Sequence, residues 1–528
     1  MRGLAILILL LCALASGAWR NGSAGSGPAN PTSYNTITNH STYTGAPPAL
    51  GAAGTTTHDP DFGPAGIGTA VMRVTQAGSC GTGATNGFYA NEGIGWQRSF
   101  NSNDTAILFY SDYNGVSWWV QPVTLNGSTM SLNGSCISIP FGAPTTMDFS
   151  AVHSNLIYGL SGNYFSSWDW TTHPGSPTHL VNLATIPGFT LTSPYLSECD
   201  DNDAWCATSN NVQNYGQQAA FYNLQTGHTM VFNFYNSSLG TPSVQIDSGT
   251  PVSTDAVITN QLSACYIHSI VMSRDGTWAE FVPDDAGSNG GCTGLRALMS
   301  GSGPNSELFW QIGTNHLQFM TDSYATGGHE AMGSGSIYTN IPGPSDGGCY
   351  MAEGKTLWNA NNPGGGVNAG YWIGIDQCQT SWWTFGGWSH ETWMNNHIDS
   401  YVNEYPTVIQ FRPATISSTP YNDELVAVQM SNAYTRLNAG GPYRTWATSP
   451  SPLIWRVMHQ YNDTDGASGG YCIQHYWNSP NVSPDGKYVT IETDWRGATG
   501  PGPCTKLNNY LGTNVGNRTD VFIVALPQ

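Results

Sequence analysis

The sequence predicts an all-β fold: a seven-bladed β-propeller of four-stranded blades, stapled by disulfides and preceded by a flexible N-terminal leader. Three observations predict it. Short β-branched and aromatic runs such as "DTAILFYSD", "TWAEFVPD", "TVIQFRP", "YVTIETD" and "DVFIVALP" are closed by Gly, Asn, Asp or Pro, with almost no helical periodicity between them. One strand–turn–strand unit recurs seven times at intervals of about 50 to 90 residues. Ten cysteines follow an export-type N-terminus, an even number that suits disulfides.

The repeat is clearest in "HSIVMSRDGTWAEF" from His268 and "NSPNVSPDGKYVTI" from Asn478: a polar residue, a short strand, Ser, a tight Asp-Gly turn and a second strand. Looser copies begin at Gln97, Thr146, Tyr195, His329 and His390. Seven such sheets in one chain suit a propeller, in which each blade is a small antiparallel sheet and the ring leaves only short edges. The final "RTDVFIVALP" reads as the third strand of the last blade. "GTAVMRVTQ" at residues 68–76 reads as that blade's outer strand, closing the ring. A β-helix or a double sandwich would need a shorter, stricter repeat or two separate cores.

The opening "MRGLAILILLLCALASGA" has one Arg, an apolar run and then small residues, the pattern of a secretory signal peptide over residues 1–18. The run falls short of the roughly 20 apolar residues of a membrane span. Cys12 at its end leaves a lipoprotein signal as the alternative, against which Leu11 is larger than the small residue such a site prefers. Residues 19–62 are rich in Gly, Ser, Thr, Pro and Asn and read as a flexible leader, with the propeller domain over 63–528. The expected location is outside the cytoplasm, secreted or periplasmic, with no membrane span. The sequence carries no reading of oligomeric state.

Local spacing pairs Cys199 with Cys206, Cys265 with Cys292, Cys349 with Cys378 and Cys472 with Cys504, leaving Cys80 with Cys136. No C-x-x-C pair occurs, which argues against a thiolate zinc site. Only 9% of residues are charged and the net charge is −19, so a basic nucleic-acid surface is absent. The acid excess repels polyanions at long range, an effect screened beyond about 10 Å. The nine N-x-Ser/Thr sites match what so Asn- and hydroxyl-rich a composition produces by chance.

At "NVSPDGKYVTIETDWRG" and "RTDVFIVAL" the chain resembles the repeats of TolB-like propellers, whose blades carry the same Ser-Pro-Asp-Gly turn. Within that superfamily, "SHETW" at Ser389–Trp393 is similar to the His-Glu-aromatic-Trp element of oligogalacturonate-lyase-like propellers. This resemblance implies a seven-bladed enzyme that cleaves oligouronides by β-elimination, with a divalent metal held by His and Gln at the channel mouth. It places His329 and His390 at inner-strand metal positions and Gln474 at the Gln position. The last unit, "QHYWNSPNVSPDG", departs from the family, with His475 and Asn478 as partial substitutes for a closely spaced His pair.

The repeat frame points to the same residues independently. His268, His329 and His390 occupy one frame position in successive units, 61 residues apart each time, and Asn478 is its equivalent in the last. Equivalent positions of propeller blades surround one axis, so these side chains are expected to converge on a divalent metal, Mn or Ca rather than Zn. The alternative is that each His closes its own blade by bonding a neighbouring backbone group. For a lyase, His268 is the expected base, and His329, His390, Gln474 and His475 are the expected ligands. A bound metal is then the electrophile, because only 15 Lys and Arg are present. Arg274 is a further catalytic candidate that could pair a sugar carboxylate.

Glu330 and Glu391 follow two of the histidines. Strand alternation turns them to the opposite face, toward a role orienting a ligand His, with direct acid–base catalysis as the alternative. Asn478 and Trp393 are candidate sugar contacts. The expected partner is a polysaccharide or oligosaccharide. The competing reading is a non-catalytic secreted scaffold that binds carbohydrate or protein, since nineteen Trp, including "SWWV" and "SWWTFGGW", offer stacking faces that serve equally as inter-blade core. No G-x-S-x-G elbow stands in a strand-to-helix setting, so a serine hydrolase is disfavoured.

Overall fold

The computed structural model describes residues 47–320 apart from 61, 63–67, 83–87, 90–97, 112–116, 142–146, 212–215, 256–265, 274 and 285–306; beyond 320 it describes 331–332, 338–339, 350–354, 370–374, 390–393, 407–410, 424–428, 454–459, 461, 480–495, 498–499, 501–503 and 515–526. Among the described residues the protein is all-β, with single 3₁₀ turns at Ser79–Gly81 and Leu183–Thr185 and every strand pairing antiparallel.

Each sequence unit opens a sheet. Residues 98–101 pair onto Ala106–Ser111, which is followed by Ser117–Asn126 and Thr129–Leu132. The second sheet runs Asp148–Phe149, Leu156–Ser161, Tyr164–Asp169, Thr178–Asn182. The fourth unit builds Tyr266–Met272, Trp278–Asp284, Glu307–Gln311, Leu317–Met320, and the sixth His390–Trp393, Thr407–Gln410, Glu424–Val428, Ile454–His459. The fifth unit contributes two hairpins, Ala331–Met332 with Tyr338–Thr339 and Tyr350–Gly354 with Gly370–Gly374.

Three sheets exceed the expected four strands. The first adds Phe88–Tyr89 beside Ala106–Ser111 and Ile137–Ser138 beside Ser117–Asn126, making five. The third unit adds Thr241–Ile246 and Val252–Ser253 outside its first four, making six. The last unit combines Asn481–Val482, Tyr488–Thr493 and Asp520–Ala525 with Thr69–Arg73 and Thr56–Asp59 from the other end of the chain, making five. Val71 pairs with Val524 and Arg73 with Phe522, so the segment 68–76 does stand beside the C-terminal strand. The same sheet takes in part of the stretch expected as leader. Thr56–Asp59 pairs with Thr69–Arg73, and the Trp495 indole donates to the Pro48 carbonyl, so residues 47–62 contribute to the packed body.

The sheets stack face to face, so alternation along a strand sends successive side chains into different cores. Ile107 and Phe109 join Met72, Tyr488 and Ile523 between the last sheet and the first. Ala106, Leu108 and Tyr110 join Phe149, Ile157 and Trp168 between the first and second. The pattern repeats: Tyr222 faces Tyr158 and Phe165, whereas Phe221 faces Phe281 and Trp310. Phe522 and Val524 pack with Leu425 and Val457. Strands buried on both faces need no polar alternate, which is why "AILFYS" is buried at all six positions.

Where the two chain ends meet, the Asp520 carboxylate is fully buried between the guanidiniums of Arg73 and Arg518, 2.5 and 3.1 Å away, and also accepts from Thr75 Oγ1. Two of the expected disulfides are present, Cys80–Cys136 and Cys199–Cys206. Cys265, Cys292, Cys349, Cys378, Cys472 and Cys504 lie outside the described residues.

Loop-closure entropy ranks the two bridges. With 56 residues spanned against 7, replacing Cys80 and Cys136 by Ser should cost about 4 kcal/mol, and replacing Cys199 and Cys206 about 2 kcal/mol. Urea unfolding of the two double variants checks the order.

Candidate functional site

In four units the turn after the first strand is one device built from different residues. Ser273 Oγ accepts from the Thr277 and Trp278 amides and donates to Asp275. Ser483 does the same with Lys487, Tyr488 and Asp485. Asn101 Oδ1 accepts from the Thr105 and Ala106 amides, and Asp200 Oδ1 from those of Asn202 and Ala204. Three residues past the capping position the backbone turns left-handed, at Asp104, Asp203, Gly276 and Gly486. At Gly276 a Cβ would meet the Asp200 carboxylate at 2.3 Å, so Gly is needed for contact as well as for φ.

The first strand of a unit stands at its sheet's edge, and neighbouring units supply acceptors for its N–H groups. Asn481 Oδ1 accepts from the Ser99 amide, Asp148 Oδ1 from that of Arg98 and Glu198 Oε2 from that of Met272. Arg98 ties three units together. Its Nη1 donates to Asp148, and its Nη2 to Asp201 and to the Cys199 carbonyl, with all three acidic and basic side chains buried. Asp203 accepts from Ser150 Oγ, the Ala151 and Val152 amides and the Tyr158 hydroxyl. Burial pushes Asp200 up to about 7, against the hydrogen bond from Ala204 and reinforced by the charge of Asp201. These polar groups are consumed in holding units together. The frame signal that marks them is a polar residue two positions before the capping residue, Ser99, Glu198 and Asn481 in three units, whereas the fourth has Val271 there.

The strands that carry or follow the candidate histidines lie side by side. Tyr266–Met272 lies against Ala331–Met332, that strand against His390–Trp393, and that one against Asn481–Val482. His268 stands where pairing slips between Ile267 and Ser269, whereas pairing is regular through His390, opposite Gln410, and Glu391, opposite Ile409. Trp393 ends that strand, opposite Thr407. Thus the strands bearing His268 and His390 flank the one that directly follows His329 and Glu330, and Asn481–Val482 follows Asn478. His329, Glu330, Gln474, His475, Asn478 and Arg274 themselves lie outside the described residues. Among the described residues no three His, Cys, Asp or Glu side chains cluster as a metal site. No described helix is long and apolar enough to cross a membrane.

The class defined so far is an all-β protein of successive small antiparallel sheets, packed face to face. No protein-family model matches the chain, and no curated protein does. Among solved structures, it is similar to an oligogalacturonate lyase of Vibrio parahaemolyticus, with 8% identity and a TM-score of 0.37 over 92% of this chain and 99% of that one. An oligogalacturonate lyase in complex with manganese aligns over the same shares, with 8% identity and a TM-score of 0.35. A TolB candidate of Agrobacterium tumefaciens aligns over 44% of this chain and 81% of its own, with 11% identity and a TM-score of 0.23.

Two outcomes follow from the polar cluster. Arg98→Ala leaves Asp148 and Asp201 buried without their cation and should cost about 3–5 kcal/mol in denaturant unfolding. Asp200 carries a raised pKa, so its stability contribution is full below about pH 4, falls as pH rises and is lost by about 7. Asp200→Asn, which keeps the capping oxygen that Asn101 uses in the first unit, should therefore raise the melting temperature at pH 8 and leave it unchanged near pH 4.

Proposed function

We propose that the chain is an exported seven-bladed β-propeller that acts on uronate-containing polysaccharide as a metal-assisted lyase, with its active centre where the first strands of units four to seven converge. The observation that carries this reading is the side-by-side order of those four strands, each bearing or directly following one of His268, His329, His390 and Asn478. Pairwise contacts also support seven blades. They lead from Arg98 to Asp148, from Ser150 to Asp203, from Glu198 to Met272, through the strand series above, and from Asn481 back to Ser99. Residues 1–18 are the proposed signal, and the body begins near residue 47.

A divalent ion, Mn or Ca, would be held by His329, His390, Gln474 and His475; imidazole is a ligand for divalent transition metals, and the Gln474 amide oxygen is the donor that suits Mn or Ca. When bound, it would stabilise the negative charge that develops on the uronate carboxylate. His268, as an imidazole base, takes the proton α to that carboxylate. The electron pair forms the new C=C bond as the glycosidic oxygen leaves from the β carbon with its electrons. Arg274 pairs the carboxylate, Glu330 and Glu391 orient ligand histidines, and Asn478 and Trp393 contact the sugar.

Purified protein should contain stoichiometric Mn or Ca by elemental analysis and should release unsaturated, ultraviolet-absorbing ends from polygalacturonate. His268→Ala should lower that rate by about 10²–10⁴-fold with the circular dichroism unchanged. A metal-free protein inert on every uronan, yet retained on a polysaccharide column, would overturn the lyase in favour of a binding scaffold.

A further inference from the structure

The two bridges among the described residues are placed differently. Cys199 stands directly opposite Cys206 within one sheet, and both are buried. Cys80–Cys136 instead joins two sheets and is half-buried at both ends. Cys80 is anchored to the last sheet: the Val74 amide donates to the Val521 carbonyl at 2.8 Å, and Thr75 Oγ1 accepts from the Val521 amide and donates to Asp520. Cys136 is anchored to the first: Ile137–Ser138 pairs with Trp119 and Val120, and the Gln121 side-chain amide donates to the Gly134 carbonyl. Both cysteines pack onto the apolar cluster that these two sheets share. The turn that presents Cys80 is also strained. Gly78, Cys80 and Gly81 all stand in the left-handed region, at φ +74, +57 and +74°. Glycine adopts it freely, whereas a residue with a Cβ does so at a cost.

We propose that Cys80–Cys136 is a thiol-operated clasp on the interface between the first and last sheets: a dithiol reductant opens it in the folded protein, leaves Cys199–Cys206 closed, and thereby loosens the turn at residues 76–82 from the first sheet. Access separates the two bridges. Thiol–disulfide exchange requires the attacking sulfur to reach a bridge sulfur. At Cys80–Cys136 the flanking Ala77, Gly78, Gly81, Asn133, Gly134 and Ser135 are all exposed. At Cys199–Cys206 the sulfurs lie inside the core shared by the second and third sheets, among Tyr158, Phe165 and Tyr222.

One thiolate of the dithiol attacks a bridge sulfur, forming a mixed disulfide and releasing the other cysteine as a thiolate that takes up a proton. The reagent's second thiolate then attacks the reagent-side sulfur, closes the reagent's own disulfide and frees the remaining cysteine. Two electrons and two protons thus pass from the dithiol to Cys80 and Cys136. With the clasp open, Met72 and Ile523 still pack with Phe109, so this interface is left to apolar contact. The turn is then held by the backbone bonds from Ser79 to Gln76 and from Thr82 to Ser79, and Cys80 is free to leave its left-handed conformation. This inference does not depend on what the histidine site does.

The test treats full-length oxidised protein with dithiothreitol without denaturant, traps thiols with an alkylating reagent over time and maps each label by peptide mass. Cys80 and Cys136 should be labelled about 10-fold sooner or more than Cys199 and Cys206, as their difference in access requires. Hydrogen exchange at the moment when the clasp alone of these two bridges is open should show the Ser79, Thr82 and Asn133 amides about 10-fold faster or more, with Phe221 unchanged. Replacing Cys80 and Cys136 together by Ser should reproduce the fast exchange and make these amides indifferent to dithiothreitol. If that variant misfolds, the wild-type time course and exchange decide alone. Labelling of Cys80 and Cys136 no sooner than Cys199 and Cys206 would overturn the clasp, and so would their early labelling with exchange at Ser79, Thr82 and Asn133 unaltered.

Discussion

The first, second, third and last sheets are each covered on both faces by their neighbours, and that constraint governs the rest of the structure. A strand buried on both sides contributes alternate residues to two separate cores, so Phe221 and Tyr222 serve different interfaces although they are adjacent in the chain. No single core holds the molecule together. Stability is distributed over serial interfaces, and among the described residues the hydrogen bonds between units gather at strand edges and turns. There, Asp148, Glu198 and Asn481 meet the backbone amides of strands that have no further strand beside them.

The same constraint explains how Asp, Asn and Ser exchange freely at the capping position. The position requires an oxygen that accepts from amides four and five residues on, and Ser273, Ser483 and Asn101 all supply one. The choice of residue then sets local electrostatics at little structural cost. Asp200 brings a carboxyl that burial makes reluctant to ionise, whereas Asn101 brings the same geometry without charge. Arg98 balances the acidic side of this arrangement, drawing Asp148 and Asp201 onto one guanidinium.

Much of the fold was legible in the sequence because its repeat is carried by turn chemistry, which is local. The Ser-x-Asp-Gly frame located the hairpins of Tyr266–Met272 with Trp278–Asp284 and of Asn481–Val482 with Tyr488–Thr493, and local spacing picked out Cys199–Cys206, leaving Cys80 with Cys136. What escaped was long-range. Nothing near residue 50 signals that Pro48 receives a hydrogen bond from Trp495, so 47–62 read as leader. The extra outer strands Thr241–Ile246 and Val252–Ser253 follow the same alternation as any other strand, and only tertiary packing assigns them to the third sheet. For the histidine site, the frame identified which strands stand side by side, but a repeat period says nothing about a slip such as the one at His268. Arg98 was missed because its partners lie about 50 and 100 residues away, in units it does not resemble.

The insertion of Thr69–Arg73 beside Asp520–Ala525 has a consequence in time as well as in space. A chain made from its N-terminus exposes the first of these strands long before its partner exists, and several hundred residues must emerge before the edge can be covered. The early sheets can stack as they appear, but the last interface is withheld until synthesis is nearly over. The pairing of the two strands therefore cannot precede the synthesis of Asp520–Ala525.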